Sequence, residues 1–304
     1  MTPPAPTLSA PSLSAPTLAA LAEADLDADY VSALAVAAVA EDLAGGVDVT
    51  SVATVRADLL GTASFTARGS GVVAGIPVAM AVLDVVGAVE HLSRGTDGQP
   101  VVPGDTVLDV RGPVRTLLTA ERSALNLLCH LSGVASLTRQ WADAVAGTDA
   151  HIRDTRKTTP GLRLLEKYAV RCGSGVNHRM SLSDAALVKD NHVVAAGGVA
   201  AAFDAVRREF PDLEVEVECD TVAQVREVVE AGADLVLLDN MSLDDLRAAV
   251  DICKAAGVMT EASGGLRLDT ARAVAETGVD FLSVGALTHS AKVLDLGVDL
   301  RLGT

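Results

Sequence analysis

The stretch EVEVECDTVAQVREVVEAGADLVLLDNMSLDDLRAAVDICKAAGVMTEAS, residues 214–263, decides the fold class. Three short apolar segments, EVEVEC (214–219), DLVLLD (234–239) and VMTEAS (258–263), alternate with TVAQVREVVEAG (221–232) and SLDDLRAAVDICKAAG (242–257), which carry apolar residues at helical spacing. Each helical segment closes on a glycine, the residue that most easily turns left-handed just past a helix end. Strands joined by helices of about three turns run parallel, so the region belongs to a parallel α/β sheet or barrel. Working outward, AHIRDT (150–155) and AALVKD (185–190) precede the stretch and DFLSVG (280–285) follows it. Six strands are visible, short of the eight of a closed barrel.

Upstream the rhythm differs. Between Leu21 and Gly112 an alanine-rich helical stretch leads into the strand-like SFTARGSGVVAG, a second apolar helix and VVPGDTVLDV, with glycine and Pro-Gly-Asp punctuation typical of antiparallel turns. Leu117 to Ala146 reads as one long helix joining the two regions. The first twenty residues hold five of the eleven prolines and no charged side chain, which predicts a disordered tail over residues 1–20. It has neither the basic n-region of a secretory signal nor the arginines of a transit peptide, and the longest apolar run, Val72–Leu83, is too short to span a bilayer. A cytoplasmic enzyme is expected. Four scattered cysteines, Cys129, Cys172, Cys219 and Cys253, form no metal or disulfide pattern and read as buried thiols.

Polar residues collect at the C-terminal end of nearly every proposed strand: DTRK (154–157), KDNH (189–192), Glu218, LDN (238–240), EASGG (261–265) and VGALTHS (284–290). In a βα barrel those ends converge on one mouth, where the active site lies. Any one of these Asp or Asn residues reads equally well as a helix cap or turn residue. Six strands in succession point to a site.

Net charge is −16, which excludes a broad basic surface for DNA or RNA. Residues 151–192 nevertheless hold eight Lys and Arg against four Asp and Glu, while the rest holds 16 against 36. Positive charge is concentrated where the mouth should be, as a small polyanion requires, although a solvated cationic stripe is the plainer alternative. Arg122, Arg156 and Arg179 offer planar forks for carboxylates. Ser263-Gly264-Gly265 and Gly285-Ala286 follow the last two strands, a usual place for a phosphate held by backbone N–H groups. Glu218 and Asp239, on neighbouring strands, suit sugar hydroxyls or a magnesium ion reached through water, and also fit paired acid and base work. His178, His192 and His289 are open to structural or proton-transfer roles.

The segments TAERSALNLLCHLSGVA, DTRKTTPGLRLLEKYAV, GVNHRMSLSDAALVKDNH, VEVEC, LDN, EASGG and VGALTHS resemble, in order and spacing, the signature blocks of the quinolinate phosphoribosyltransferase family. DTRKTTPGLR and KDNH are the specific ones; LDN and EASGG are not, and EDLAGGVDVTS is a weaker match. The resemblance implies an N-terminal α/β sandwich over 21–130, joined by the C-terminal 290–304, and an incomplete α/β (TIM-like) barrel over 131–289. It implies transfer of phosphoribosyl from phosphoribosyl pyrophosphate to quinolinate, with decarboxylation, giving nicotinate mononucleotide for NAD synthesis. Mg²⁺ is expected to arrive with phosphoribosyl pyrophosphate, not at a protein metal site. By motif match, Arg122, Arg156, His178 and Arg179 would hold the quinolinate carboxylates, and Thr155 would also bind substrate. Lys157 and Lys189 would face the phosphates and reacting centre, Glu218 and Asp239 the ribose, and Ser263, Gly264, Gly265, Val284, Gly285 and Ala286 the 5′-phosphate. A homodimer is expected, with Arg122, on the long helix and not at a strand end, acting across the interface. The rival readings are a paralogue of the same fold with another aromatic acceptor, separable by substrate screening, and a non-catalytic phosphate or nucleotide sensor, separable by turnover.

Overall fold

A computed structural model describes residues 12–303. The chain divides into two compact units, Met1–Ser136 with Ala291–Thr304, and Leu137–Ser290. These limits fall six residues after, and one residue after, the boundaries expected at 130 and 289.

The first unit begins with α1 (Ala15–Glu23), α2 (Ala28–Leu43) and α3 (Val49–Thr54). The expected tail therefore needs correcting over Ala15–Ala20, which are helical; residues 1–11 lie outside the described residues. Pro16 sits in the first turn, where no backbone N–H is required, and Ser14 donates to Asp84 from both its N–H (2.9 Å) and its hydroxyl (2.8 Å). Thr17, Ala20 and Leu21 are buried. Strands β1 (Leu60–Ala67) and β2 (Gly71–Val72) lead to α4 (Ile76–Val86), buried all round from Ile76 to Leu83, as a helix without a polar face must be. Then follow β3 (Glu90–Arg94), β4 (Pro100–Val101), β5 (Thr106–Pro113) and α5 (Val114–Ala144), the long helix, offset slightly from its expected limits. Strand β3, EHLSR, has no apolar alternation because it is a largely exposed edge strand, so the sequence pattern did not reveal it.

The second unit alternates as expected. It contains β6 (His151–Arg153), α6 (Arg163–Cys172), β7 (Ala186–Val188), α7 (Asp190–Ala196), α8 (Val199–Glu209), β8 (Val215–Cys219) and α9 (Val222–Glu230). It continues with β9 (Leu235–Asp239), α10 (Leu243–Ala256), β10 (Met259–Ser263), α11 (Ala271–Ala275), β11 (Phe281–Ser283) and α12 (Ala286–His289). All six expected strands are present. They run parallel in the order β6-β11-β10-β9-β8-β7, so the first strand pairs with the last, as in a barrel. Beyond β6 a single parallel bridge joins Arg153 to Val176, and the wall opens between Val176 and β7. The barrel is incomplete. Helix ends follow the local chemistry: Thr221 and Gln224 form a capping box on α9, Ser242 accepts from Asp245 N–H on α10, and Gly257 ends α10 left-handed. Val217, Val236, Leu238, Ala249 and Cys253 are fully buried.

The chain then returns to the first unit as β12 (Leu296–Leu302), antiparallel to β1, completing a four-stranded sheet of order β12-β1-β5-β3. Of the cysteines, Cys219 and Cys253 are buried, their thiols pushed by burial to about 12 and about 11, whereas Cys129 and Cys172 are only half-buried.

Candidate active site

The ends of the parallel strands surround a cavity of about 280 Å³. Arg156 and Lys157 reach it from the loop after β6, Arg179 from the loop before β7, and Lys189 from the end of β7. Thr155, His178, Leu187, Leu237, Glu261, Ser263 and Ser283 complete its lining. Four cations thus face one carboxyl group. The other four basic residues of 151–192 do not line it and are held by protein partners: Arg153 by Glu261, Arg163 by Thr158 and the Met180 carbonyl, Lys167 by Asp154, and Arg171 by Asn177. Concentration of charge in the sequence therefore marks both the site and its supports.

Arg179 donates to the Ala185 carbonyl at 2.7 Å, and its pKa is lowered by burial and then by the neighbouring charge of Arg156. Arg156 Nε is buried without a protein partner. Two guanidinium groups held close enough to disfavour each other form a site that a carboxylate relieves. Lys157 packs its side chain against Gly285, where an added Cβ would stand 3.0 Å from Lys157 Cδ, and its carbonyl accepts from Thr288 Oγ1 at 2.8 Å. Lys189 pairs with Glu218 at 3.0 Å, leaving the ammonium half exposed at the mouth.

These cations stand on a buried scaffold. Lys167 and Asp154 are a wholly buried ion pair. Lys167 also donates to the carbonyls of His178 (2.7 Å) and Arg179 (3.1 Å), while Asp154 accepts from His178 N–H (2.8 Å) and from the Asn177 amide (2.5 Å). One pair therefore fixes three consecutive residues, 177–179. Asp154, grouped with the mouth by sequence, instead lies beneath it.

A second network forms part of the cavity wall through His178, Glu261 and Ser283. His178 Nδ1 accepts from Arg179 N–H at 2.7 Å, so the ring proton is on Nε2, which donates to Glu216 at 2.8 Å and stands 3.7 Å from Glu261. The Glu261 carboxylate accepts from Arg153 at 2.7 Å and from the Ser283 hydroxyl. Burial, the largest influence, lowers the His178 pKa to about 4 and lifts Glu216 to about 7; burial and the charge of Glu216 raise Glu261. His178, Glu216 and Glu261 have the donor types of a metal site, with one donor atom from each within 4.8 Å of the others. The adjacent Arg153 guanidinium and the hydrogen bonds to His178 and Ser283 suit a proton-bearing network better than a dication.

Of the residues expected from sequence, Thr155, Arg156, Lys157, His178, Arg179, Lys189 and Ser263 line this cavity. His178 does so with both ring nitrogens hydrogen-bonded within the protein. Glu218, Asp239, Gly264, Gly265, Val284, Gly285 and Ala286 are not part of the lining, although Glu218 touches Lys189 and Gly285 touches Lys157. Asp239 accepts from the Asn240 amide, and a Cβ on Gly264, whose φ is +82°, would stand 2.8 Å from Asp239 and 2.3 Å from Asn240. Gly264 is therefore required by both conformation and space. Arg122 and Asn126 are exposed on α5 in the first unit. His192 accepts from Lys189 N–H in the α7 cap, and His289 shares a hydrogen with Ser290.

Sequence reasoning missed Arg153, Lys167, Glu216 and Ser283 and did not single out Glu261. For Glu216 a signal was present: in VEVEC two glutamates alternate with buried valines, so Glu216 and Glu218 share one side of β8.

Comparison with known proteins adds two family models. The quinolinate phosphoribosyl transferase C-terminal domain matches residues 134–299, and its N-terminal domain matches 48–132. The chain is 51% identical over 266 residues to nicotinate-nucleotide pyrophosphorylase [carboxylating] of Mycobacterium leprae, covering 86% of this chain and 93% of that one. A probable nicotinate-nucleotide pyrophosphorylase [carboxylating] of Bacillus subtilis is 39% identical over 242 residues, covering 79% and 83%. Among solved structures, the nicotinate-nucleotide pyrophosphorylase of Francisella tularensis superposes with a TM-score of 0.87 at 37% identity, covering 91% of this chain and 98% of that one.

Proposed function

Because the chain belongs to the quinolinate phosphoribosyltransferase family, we propose that it joins phosphoribosyl pyrophosphate to quinolinate with loss of carbon dioxide. The products are nicotinate mononucleotide and pyrophosphate, in the de novo synthesis of NAD. The observation that carries this reading is the convergence of Arg156, Lys157, Arg179 and Lys189 on one small cavity. Two anions that repel each other in water must be brought together with the pyridine nitrogen aimed at the anomeric carbon, and fixed cations do this. Arg156 and Arg179 take the carboxylates. Lys157 and Lys189 stabilise charge developing on the departing pyrophosphate. Glu218 and Asp239 serve the ribose and the positive charge growing on it, and the turns at 263–265 and 284–286 the 5′-phosphate. Incubation with quinolinate and phosphoribosyl pyrophosphate should yield nicotinate mononucleotide and carbon dioxide in equal amounts. Turnover with nicotinate or another aromatic acid in place of quinolinate would replace this assignment, and binding without turnover would make the protein a sensor.

Magnesium fits this chemistry as a companion of the pyrophosphate. Glu218 and Asp239 lie near the mouth as hard oxygen groups suited to its water shell, and no protein ligand set is assigned. When bound, the ion neutralises pyrophosphate charge. Chelation is expected to stop turnover while leaving the thermal unfolding midpoint unchanged, with activity restored by added Mg²⁺. A tightly held stoichiometric ion in active, chelator-washed protein would contradict this.

We also assign the active form as a homodimer in which Arg122 serves the partner's cavity. Its support is that Arg122 and Asn126 lie exposed, one turn apart, on α5, while every residue lining the cavity comes from the second unit. Mixing inactive Arg122→Ala and Lys189→Ala chains under subunit exchange should give mixed dimers with one intact site, recovering about half the activity per dimer. No recovery after verified exchange would place Arg122 in its own subunit's chemistry or in a structural role. A cytoplasmic location accords with the inert buried thiols of Cys219 and Cys253. Among the described residues no helix is long and apolar enough to cross a membrane.

A further inference from the structure

The decarboxylating reaction leaves one requirement that the four cations do not meet: a hydrogen must replace the departing carboxylate on the pyridine ring. A second cavity, of about 220 Å³, lies against the connection between Val176 and β7, where the barrel wall is open. Arg153, Asn177, Asp184, Glu214 and Glu216 line it, and His178 and Arg179 are common to it and to the substrate cavity. Glu216 is only 3% exposed, and its Oε1 is buried with no protein partner although the residue lines this second cavity. A buried, unpartnered carboxylate oxygen is uncommon enough to call for a role. Its other oxygen holds His178, and an oxygen of Glu261, which lines the substrate cavity, lies within 4.8 Å of the Glu216 donor atom, a span that one water bridges. Ser283, also in the substrate cavity, donates to Glu261. A polar path thus runs from the open seam through Glu216 and Glu261 to the reacting side.

Resting on the reaction assigned above, we propose that Glu216 and Glu261 pass a proton from the seam cavity to the substrate cavity, supplying the hydrogen that replaces the lost carboxylate. Once the ring nitrogen is bonded to ribose, the bond from the adjacent ring carbon to its carboxylate breaks and carbon dioxide leaves. The electron pair stays on the ring carbon, stabilised by the pyridinium nitrogen. That carbon takes a proton from Glu261, Glu261 is reprotonated by Glu216, and Glu216 by solvent entering the seam. One proton is consumed per turnover, and no oxidant or reductant is needed.

The surroundings make both carboxyls able to carry a proton. Burial raises Glu216 most, and Glu214, just before β8, adds to it, against Arg153 from β6, Arg179 from the loop before β7 and Lys189 after β7. His178 and Glu261 also face it. Glu261 is raised by burial and by Glu216, against His178 and Arg153. His178, its proton fixed on Nε2, positions Glu216 and does not itself titrate near neutrality.

The test uses Glu216→Gln, which still accepts from His178 but carries no exchangeable acid proton, and Glu216→Asp, which restores the acid. Single-turnover pyrophosphate release and hydrogen uptake at the ring carbon are followed separately in the full-length protein. In the Gln variant, hydrogen uptake and kcat are expected to fall at least tenfold, while pyrophosphate release and the KM for quinolinate stay within threefold. The alkaline limb of the kcat profile, set by loss of the Glu216 proton, should vanish, and the Asp variant should recover part of the rate. Unchanged kcat in Glu216→Gln, or equal loss of both steps with a raised KM, overturns the proposal in favour of a structural role. If the Gln variant fails to fold, Glu261→Gln is read by the same criteria. Should the parent protein release no carbon dioxide from quinolinate, the assigned reaction itself falls, an outcome visible before any variant is made.

Discussion

Lys167→Met is expected to destabilise the barrel unit by about 3–5 kcal/mol, the usual cost of removing one partner from a buried ion pair. Lys167 is fully buried and donates to Asp154 and to the carbonyls of His178 and Arg179, so its loss strands a buried carboxylate and two carbonyls together. The sign of the pH dependence follows from Asp154. Its pKa is raised by burial even with the coulombic help of Lys167, and without that help it rises further. A carboxyl whose folded pKa is raised favours the folded state below the unfolded carboxylate range and loses that benefit as pH climbs through the folded pKa. The deficit of Lys167→Met should therefore grow from mildly acidic to mildly alkaline buffer. Denaturant midpoints at the two pH values check this, and adding Asp154→Asn should return part of the stability by removing the stranded charge. A Lys167→Met chain as stable as the parent would show that residues 177–179 are held by other contacts.

Arg156→Ala and Arg179→Ala should each cost about 2–5 kcal/mol in transition-state stabilisation, as for charge partners truncated in a desolvated site, or roughly 30-fold to several-thousand-fold in kcat/KM. Both line the cavity, and burial and then the charge of Arg156 lower the pKa of Arg179. A dianionic substrate removes that repulsion. Removing either arginine lowers the repulsion as well, so the free protein should be no less stable than the parent. Loss of catalytic efficiency without loss of stability separates these arginines from Lys167, whose replacement damages the fold first. Near-normal efficiency in both alanine variants would take the substrate carboxylates elsewhere. Lysine replacements should recover less than charge alone suggests, because an ammonium cannot offer the planar fork.

How far the site was legible depends on how each residue reports its surroundings. Thr155, Arg156, Lys157, Lys189 and Ser263 follow from the strands, since polar residues at or just past the ends of parallel strands collect at the mouth, except where a buried partner holds one beneath it, as Lys167 holds Asp154. Arg179 does not follow a strand; the concentration of positive charge over 151–192 and its planar fork singled it out, and the motif resemblance supplied its role. Glu216 was within reach of the alternation in VEVEC, but alternation says only which side of β8 it faces, not that His178 meets it there.

The sequence by itself determined the six parallel strands, the helices between them, the long α5 and the clustering of cations, because periodicity and caps act over a few residues and leave a local signature. Tertiary structure alone decided that β6 pairs with β11, leaving a seam beside β7, and that Ala15–Ala20 gain a helix anchored at Asp84. It alone also separated the basic residues of 151–192 into cavity-lining Arg156, Lys157, Arg179 and Lys189 and ion-paired Arg153 and Lys167. The reason is electrostatic: a charged side chain is tolerated in the interior only with a partner, and Glu261, the partner of Arg153, stands 108 residues away along the chain.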